Sequence, residues 1–189
     1  MSKPSKAVIL AEDEFTQRFI YRYLSRLRQF RNPRYDIRGR LPRKGQGSGE
    51  QWVREQYVNE VRAQRSKQVH TALVVVIDAD IGEIGRRTRQ FQDSIVRAGL
   101  SPRTAKERIV HLIPKRNIET WIVCLNGVAA DEITDYSQPQ NVPELVSPLD
   151  EHIGPAAIRF FEWSRPNAPT PDDCVPSLRA AIPEVRRLE

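Results

Sequence analysis

The order of apolar and polar positions divides the chain into short buried runs separated by amphipathic stretches. Residues 71–82, TALVVVIDADIG, hold the strongest run: Leu73, Val74, Val75, Val76 and Ile77 are apolar without interruption and mostly β-branched. Such a run reads as a strand buried on both faces, the mark of a central parallel strand. Residues 7–11 (AVILA) and 109–113 (IVHLI) repeat the pattern.

Helical periods lie between these runs. Within 14–27, Phe15, Phe19, Ile20, Tyr23, Leu24 and Leu27 recur at helical spacing, with Arg18, Arg22, Arg26 and Arg28 opposite them. Ser48 is a candidate cap for a helix running to about Arg65, with Gln51 completing a capping box. Residues 83–98 form another helical stretch closed by Gly99, and Asn117 caps one that buries Ile118, Trp121, Ile122 and Leu125 before Gly127. Residues 35–40 (YDIRGR) alternate as an edge strand.

Strands alternating with helices define the fold class as α/β: a three-layer α/β/α, Rossmann-like arrangement around a mainly parallel sheet. Residues 1–127 form that domain. From 128 the composition turns acidic and proline-rich, so 128–189 is expected to be a short helical C-terminal extension packed on the domain. Its helices are expected at 155–164 and 177–188, with 137–148 as loop and 166–176 as an extended lid or linker.

Charge changes the picture by being uneven. The chain of 189 residues carries a net charge of +6, yet between Arg18 and Lys44 there are ten basic residues and one acid, Asp36. Between 128 and 175 nine acids face only Arg159 and Arg165. A basic face beside an acidic pocket suits a polyanion such as nucleic acid; a solvated basic surface is the plainer reading. Cys124 and Cys174 have no metal-ligand spacing, and Cys124 reads as core. With no secretory signal and no apolar stretch near 18 residues, the expectation is a cytoplasmic protein that does not enter the membrane.

The candidate chemistry sits where the apolar runs stop. The first ends on Glu12, Asp13 and Glu14, the central one on Asp78 and Asp80, and the last leads through Lys115 and Arg116 to Glu119. In an open parallel sheet these carboxyl ends share one rim. Gathered carboxylates repel unless a cation neutralises them, and oxygen-only ligands select Mg²⁺ or Mn²⁺. The plainer alternatives are a structural turn for Asp78 and Asp80, a helix-capping acid for Glu12, a dipole-favoured first-turn acid for Glu119 and a solvated lysine for Lys115. Residues 41–49, LPRKGQGSG, lack the Gly-Lys-Ser/Thr ending of a P-loop. Their amides with Arg43 and Lys44 remain a candidate phosphate contact, or a flexible surface loop. His70, His111 and His152 share no spacing, and His111 reads as a core or edge residue. Trp52, Trp121 and Trp163 read as packing residues, with Trp52 also placed to stack a base.

Glu12 after the first strand and the Asp78-x-Asp80-x-Gly82 turn after a later one resemble a Toprim domain, the catalytic fold of topoisomerases, primases and the overcoming-lysogenization-defect (OLD) family of nucleases. The resemblance covers residues 7–127, and the run LIPKRNIETWIV is similar to that of small OLD-like proteins. It implies a Toprim-like fold and a Mg²⁺- or Mn²⁺-dependent nuclease cleaving DNA or RNA, with a partner ATPase in anti-phage defence and room for a homo-oligomer. Metal ligands would be Glu12, Asp78, Asp80 and Glu119. The catalytic set would be these with Lys115, and the nucleic-acid contacts Arg43, Lys44 and Arg116. The chain departs from the family in carrying Asp13 where glycine usually follows the first Glu; that side chain either crowds the metal or adds a ligand. Two other functions compete. One is a receiver-like phosphoacceptor domain using Asp78, although 65 residues from Asp13 to Asp78 (78 − 13) is long for that unit. The other is a non-catalytic nucleic-acid-binding subunit.

Overall fold

The structure, a computed structural model, describes residues 6–30, 36–43, 48–66, 71–80, 82–169, 172 and 174–188. Four strands, β1 (Lys6–Leu10), β2 (Asp36–Arg40), β3 (Thr71–Val76) and β4 (Ile109–Leu112), form one all-parallel sheet in the order β2-β1-β3-β4. Six α-helices accompany them among the described residues: α1 (Glu14–Leu24), α2 (Gly49–Ser66), α3 (Ile84–Arg97), α4 (Ile118–Leu125), α5 (Leu149–Ser164) and α6 (Pro176–Val185).

The apolar runs are strands because both sheet faces are covered. Ala7, Ile9, Val74 and Val76 pack with α1, α4, α5 and α6 on one side. Val8, Leu10, Leu73 and Val75 pack with α2 and α3 on the other. Alternate residues thus face opposite layers, and neither set meets water.

Connectivity fixes where a ligand fits. From β1 the chain passes through α1 to β2 on one side, and from β3 through α3 to β4 on the other. The strand order therefore reverses between β1 and β3, and in open α/β sheets ligands bind at the carboxyl ends beside such a reversal. Leu10 lies opposite Val75, so continuing that register two residues brings Glu12 beside the start of the Asp78 turn.

The extension is part of the fold's own core. Phe160 of α5 places its ring 5.8 Å from Phe19, 4.8 Å from Tyr23 and 6.0 Å from Trp121. Burying one such phenyl ring contributes roughly 1.5–3 kcal/mol. Trp121 Nε1 donates to Ser177 Oγ at 2.7 Å, tying α4 to the start of α6.

Three boundaries differ from the sequence expectation. α1 stops at Leu24, and Leu27 packs from a tight turn in which its amide donates to the Leu24 carbonyl. The helix expected at 155–164 begins instead at Leu149, with Pro155 inside it. Pro155 lies on the exposed face, where water can satisfy the carbonyl its ring leaves without an amide partner. The helix expected at 177–188 is α6, followed by a short 3₁₀ turn at Arg186–Leu188.

Candidate metal centre

Glu12 follows β1 at the strand-order reversal, half-buried, and its Oε1 accepts the backbone N–H of Asp78 at 2.8 Å. The two acid-bearing strand ends are therefore in direct contact. The first residue of α2 presses on the same spot: a Cβ on Gly49 would sit 2.7 Å from the Glu12 carbonyl oxygen and 2.8 Å from its Cβ. No other residue type fits there without moving Glu12. The last glycine of the 41–49 segment is thus a close-approach residue. Lys44, with 45–47, lies outside the described residues, and Arg43 is exposed.

Asp13, the departure from the Toprim pattern, is the N-cap of α1. Its Oδ1 accepts Thr16 N–H at 2.7 Å and its Oδ2 accepts the Thr16 hydroxyl at 3.0 Å. Both carboxylate oxygens are engaged in capping, which the Asp13-x-x-Thr16 spacing announces in the sequence.

After β3, Ala79 N–H donates to the Pro114 carbonyl at 2.8 Å and Gly82 N–H to the Ala79 carbonyl at 2.8 Å. Asp80 between them has φ +54°, a left-handed conformation that aspartate tolerates better than most residues. Its side chain is 64% exposed. Glu119 comes from the first turn of α4, where Asn117 Oδ1 accepts Thr120 N–H at 3.2 Å.

The electrostatics bind these acids into one group. Burial, then the charges of Glu12, Glu119, Asp13 and Asp80, push the Asp78 carboxyl well above the carboxylate range. Burial raises Glu12 to about 7; the Asp78 N–H opposes this, while Asp80, Asp13 and Glu50 add to it. Glu119 also reaches about 7, by burial against its own backbone hydrogen bond and with the charges of Asp13 and Asp135. Among the described residues no three His, Cys, Asp or Glu side chains stand close enough together to hold a metal ion as they are placed. Glu12, Asp78, Asp80 and Glu119 offer only carboxylate oxygens, the donor type that hard divalent ions take.

Other expected contacts have been placed as well. Lys115 follows β4, half-buried. Arg116 pairs with Asp135 at 3.3 Å, so its guanidinium is engaged within the fold. Within the basic tract, Arg18 pairs with Asp150, and Arg40 with Glu60 at 2.9 Å. Trp52 is 8% exposed in the core and is not presented for stacking. His111 is buried with Nε2 3.0 Å from the Tyr57 hydroxyl, as a core residue, while its Nδ1 has no hydrogen-bond partner among the described residues. His70 lies outside the described residues. Both cysteines are buried.

Sequence reasoning missed Arg87 and Glu50. Arg87 of α3 donates to the Asp78 carbonyl at 3.0 Å, to Asp80 Oδ2 at 3.2 Å and to Glu50. Beside it lies a cavity of about 250 Å³ lined by Ala79, Asp80, Gly82, Glu83, Arg86 and Arg87. The only sequence signal was an arginine one turn into the helix after the Asp turn.

Comparison with known protein families, curated proteins and solved structures found no match for the chain. No helix among the described residues is long and apolar enough to cross a membrane.

Proposed function

We propose that the chain is a divalent-cation-dependent hydrolase of phosphodiesters. More particularly, it is a Toprim-like nuclease of the OLD-like kind, acting on DNA or RNA with a partner ATPase in anti-phage defence. The observation that carries this reading is the meeting of the β1 and β3 ends at the strand-order reversal, where Glu12 Oε1 accepts the Asp78 backbone N–H at 2.8 Å and both side-chain carboxyls are raised. Carboxylates kept together at such a cost suit a site completed by a cation.

Glu12, Asp78 and Asp80 would hold Mg²⁺ or Mn²⁺. When bound, such an ion polarises a phosphoryl oxygen and lowers the pKa of water. Glu119, poised at about 7, is suited to take up or release a proton near neutrality. Lys115 supplies positive charge to the phosphate, and Arg43 and Lys44 extend the basic path, with Arg116 contributing only if its pairing with Asp135 opens. A phosphoacceptor use of Asp78 leaves the gathering of Asp80 and Glu119 without a role.

The test is cleavage of labelled DNA and RNA with Mg²⁺ or Mn²⁺, by the chain alone and with its partner. Metal-dependent cleavage that falls at least about a hundredfold in Asp78→Asn supports the proposal. Equal cleavage by wild type and Asp78→Asn overturns it. Salt-sensitive binding without cleavage under either condition points instead to the binding subunit, and labelling by acetyl phosphate lost in Asp78→Ala to the phosphoacceptor.

A further inference from the structure

Beside the acid-rich rim Arg87 supplies a half-buried positive group whose geometry the metal reading does not use. The side chain of Arg87 is 11% exposed and makes four hydrogen bonds from its five N–H groups. Nε donates to the Asp78 carbonyl at 3.0 Å, Nη2 to Asp80 Oδ2 at 3.2 Å, and Nη1 to Gln90 Oε1 at 3.2 Å and to Glu50. Glu50 directly follows Gly49, the residue pressed on Glu12. One guanidinium thus spans the Asp turn and the start of α2, the two segments flanking the candidate centre.

We infer that Arg87 is the resident counter-cation of this cluster and exchanges the Asp80 carboxylate with an incoming divalent ion. This deepens the metal reading and rests on it. In the metal-free protein Arg87 offsets the negative charge of Asp80 and Glu50 at the rim, and it holds Asp80 toward α3. That explains why the acids lie within electrostatic reach of one another without forming a closed shell. A divalent ion approaching Asp80 meets the guanidinium charge first and must displace it. The cavity beside Asp80 and Arg87 gives the displaced arm room to move. Arg87 therefore opposes metal binding while stabilising the metal-free fold, two effects of opposite sign from one side chain.

The experiment titrates Mn²⁺ into the full chain at pH 8, followed by the paramagnetic signal of free Mn²⁺, alongside metal-free thermal unfolding. Arg87→Gln is expected to bind Mn²⁺ about five- to tenfold more tightly, because a like charge next to the ion is removed. Its metal-free melting temperature is expected to fall by several degrees, since Asp80 and Glu50 lose their partner. Arg87→Lys, a point charge able to hold one carboxylate but not the fork, is expected to bind with intermediate affinity. Arg54→Gln removes another cation from Glu50, at 3.2 Å, without touching Asp80, and is expected to stay within about twofold of wild type. A purely structural arginine would lower stability and metal affinity together. Binding to wild type with equal or weaker binding to Arg87→Gln overturns the inference and leaves the metal site standing. Binding by Arg87→Gln alone supports both. Binding by neither removes the metal reading and this inference with it. If Arg87→Gln does not fold, Arg87→Lys decides: tighter than wild type supports the exchange, equal or weaker overturns it.

Discussion

Carboxylates stand in opposite electrostatic states at two places on this sheet. At the outer edge of β4, Glu184 meets Arg103 at 2.6 and 3.2 Å and Arg187 at 3.2 Å, and accepts the His111 N–H at 3.1 Å. Burial pushes Glu184 up, but these partners outweigh it and hold the carboxyl below its ordinary range. Glu107, paired with Arg65 at 2.6 Å, behaves in the same way. At the β1/β3 rim burial acts alike and wins: Glu12 and Glu119 stand at about 7 and Asp78 well above its usual value. A chain with 30 Lys and Arg does not lack cations. It places them to seal the open amides and carbonyls of an edge strand, as Arg103 does on the Ile109 carbonyl at 2.8 Å. At the rim it leaves carboxylates under-neutralised. The first arrangement is architecture, and the second is the one the metal proposal rests on.

The contrast breaks most sharply by exchanging one acid from each place. Asp78→Asn is expected to lose metal-dependent cleavage by at least about a hundredfold with little loss of stability, since burial already favours the neutral carboxyl that the amide replaces. Glu184→Gln is expected to leave cleavage within about twofold while costing about 2–3 kcal/mol, or 5–10 °C in melting temperature. Parallel assays and thermal scans read both, and a reversed pattern would reverse the assignment of the two regions.

The same difference has a pH signature. Glu12 is raised from 4.5 to about 7, so the folded metal-free chain binds that proton more tightly than the unfolded one. Its stabilising contribution is full below pH 4.5 and lost as pH rises to 7, amounting to about 3 kcal/mol. His111 works the other way: burial first, then Arg103 and Arg187, hold it neutral, so its contribution is lost as pH falls below 6.5. Urea titrations isolate Glu12 as a difference. Glu12→Gln should gain about 3 kcal/mol relative to wild type between pH 4 and pH 8, and Mg²⁺ should erase that gain.

Smaller effects sharpen the comparison. Gly49→Ala forces a methyl group against Glu12, and is expected to cost about 1–3 kcal/mol and weaken Mn²⁺ binding several-fold, measured by unfolding and metal titration. Asp13→Ala is expected to cost about 1 kcal/mol as a lost helix cap, with cleavage kept within about threefold and stability restored by Asn. A large loss of cleavage in Asp13→Asn would make it a ligand instead.

Much of the fold was legible because strands covered on both faces must be apolar throughout. Residues 7–11, 73–77 and 109–113 show this before any contact is known. That Glu12 and the Asp78 turn lie side by side was legible for a related reason: the carboxyl ends of neighbouring parallel strands share one rim. Arg87 and Glu50 were not, since each looks like an ordinary charge on an amphipathic helix and meets the Asp turn only through α2 and α3 packing. Gly49 read as part of a flexible loop, because a steric contact with Glu12 37 residues earlier leaves no local trace. The start of α5 was misplaced because Pro155 reads as a boundary locally, whereas packing of Phe160 on α1 and α4 carries the helix through it.

The most direct test of the central claim is calorimetric titration of Mn²⁺ into the metal-free chain at pH 7, in two buffers of different ionisation enthalpy. Saturable binding with release of about one proton, absent in the Glu12→Gln/Asp78→Asn double variant, is expected if half-protonated rim acids give up protons to a cation. No saturable binding, or unchanged binding and proton release in the double variant, would contradict it.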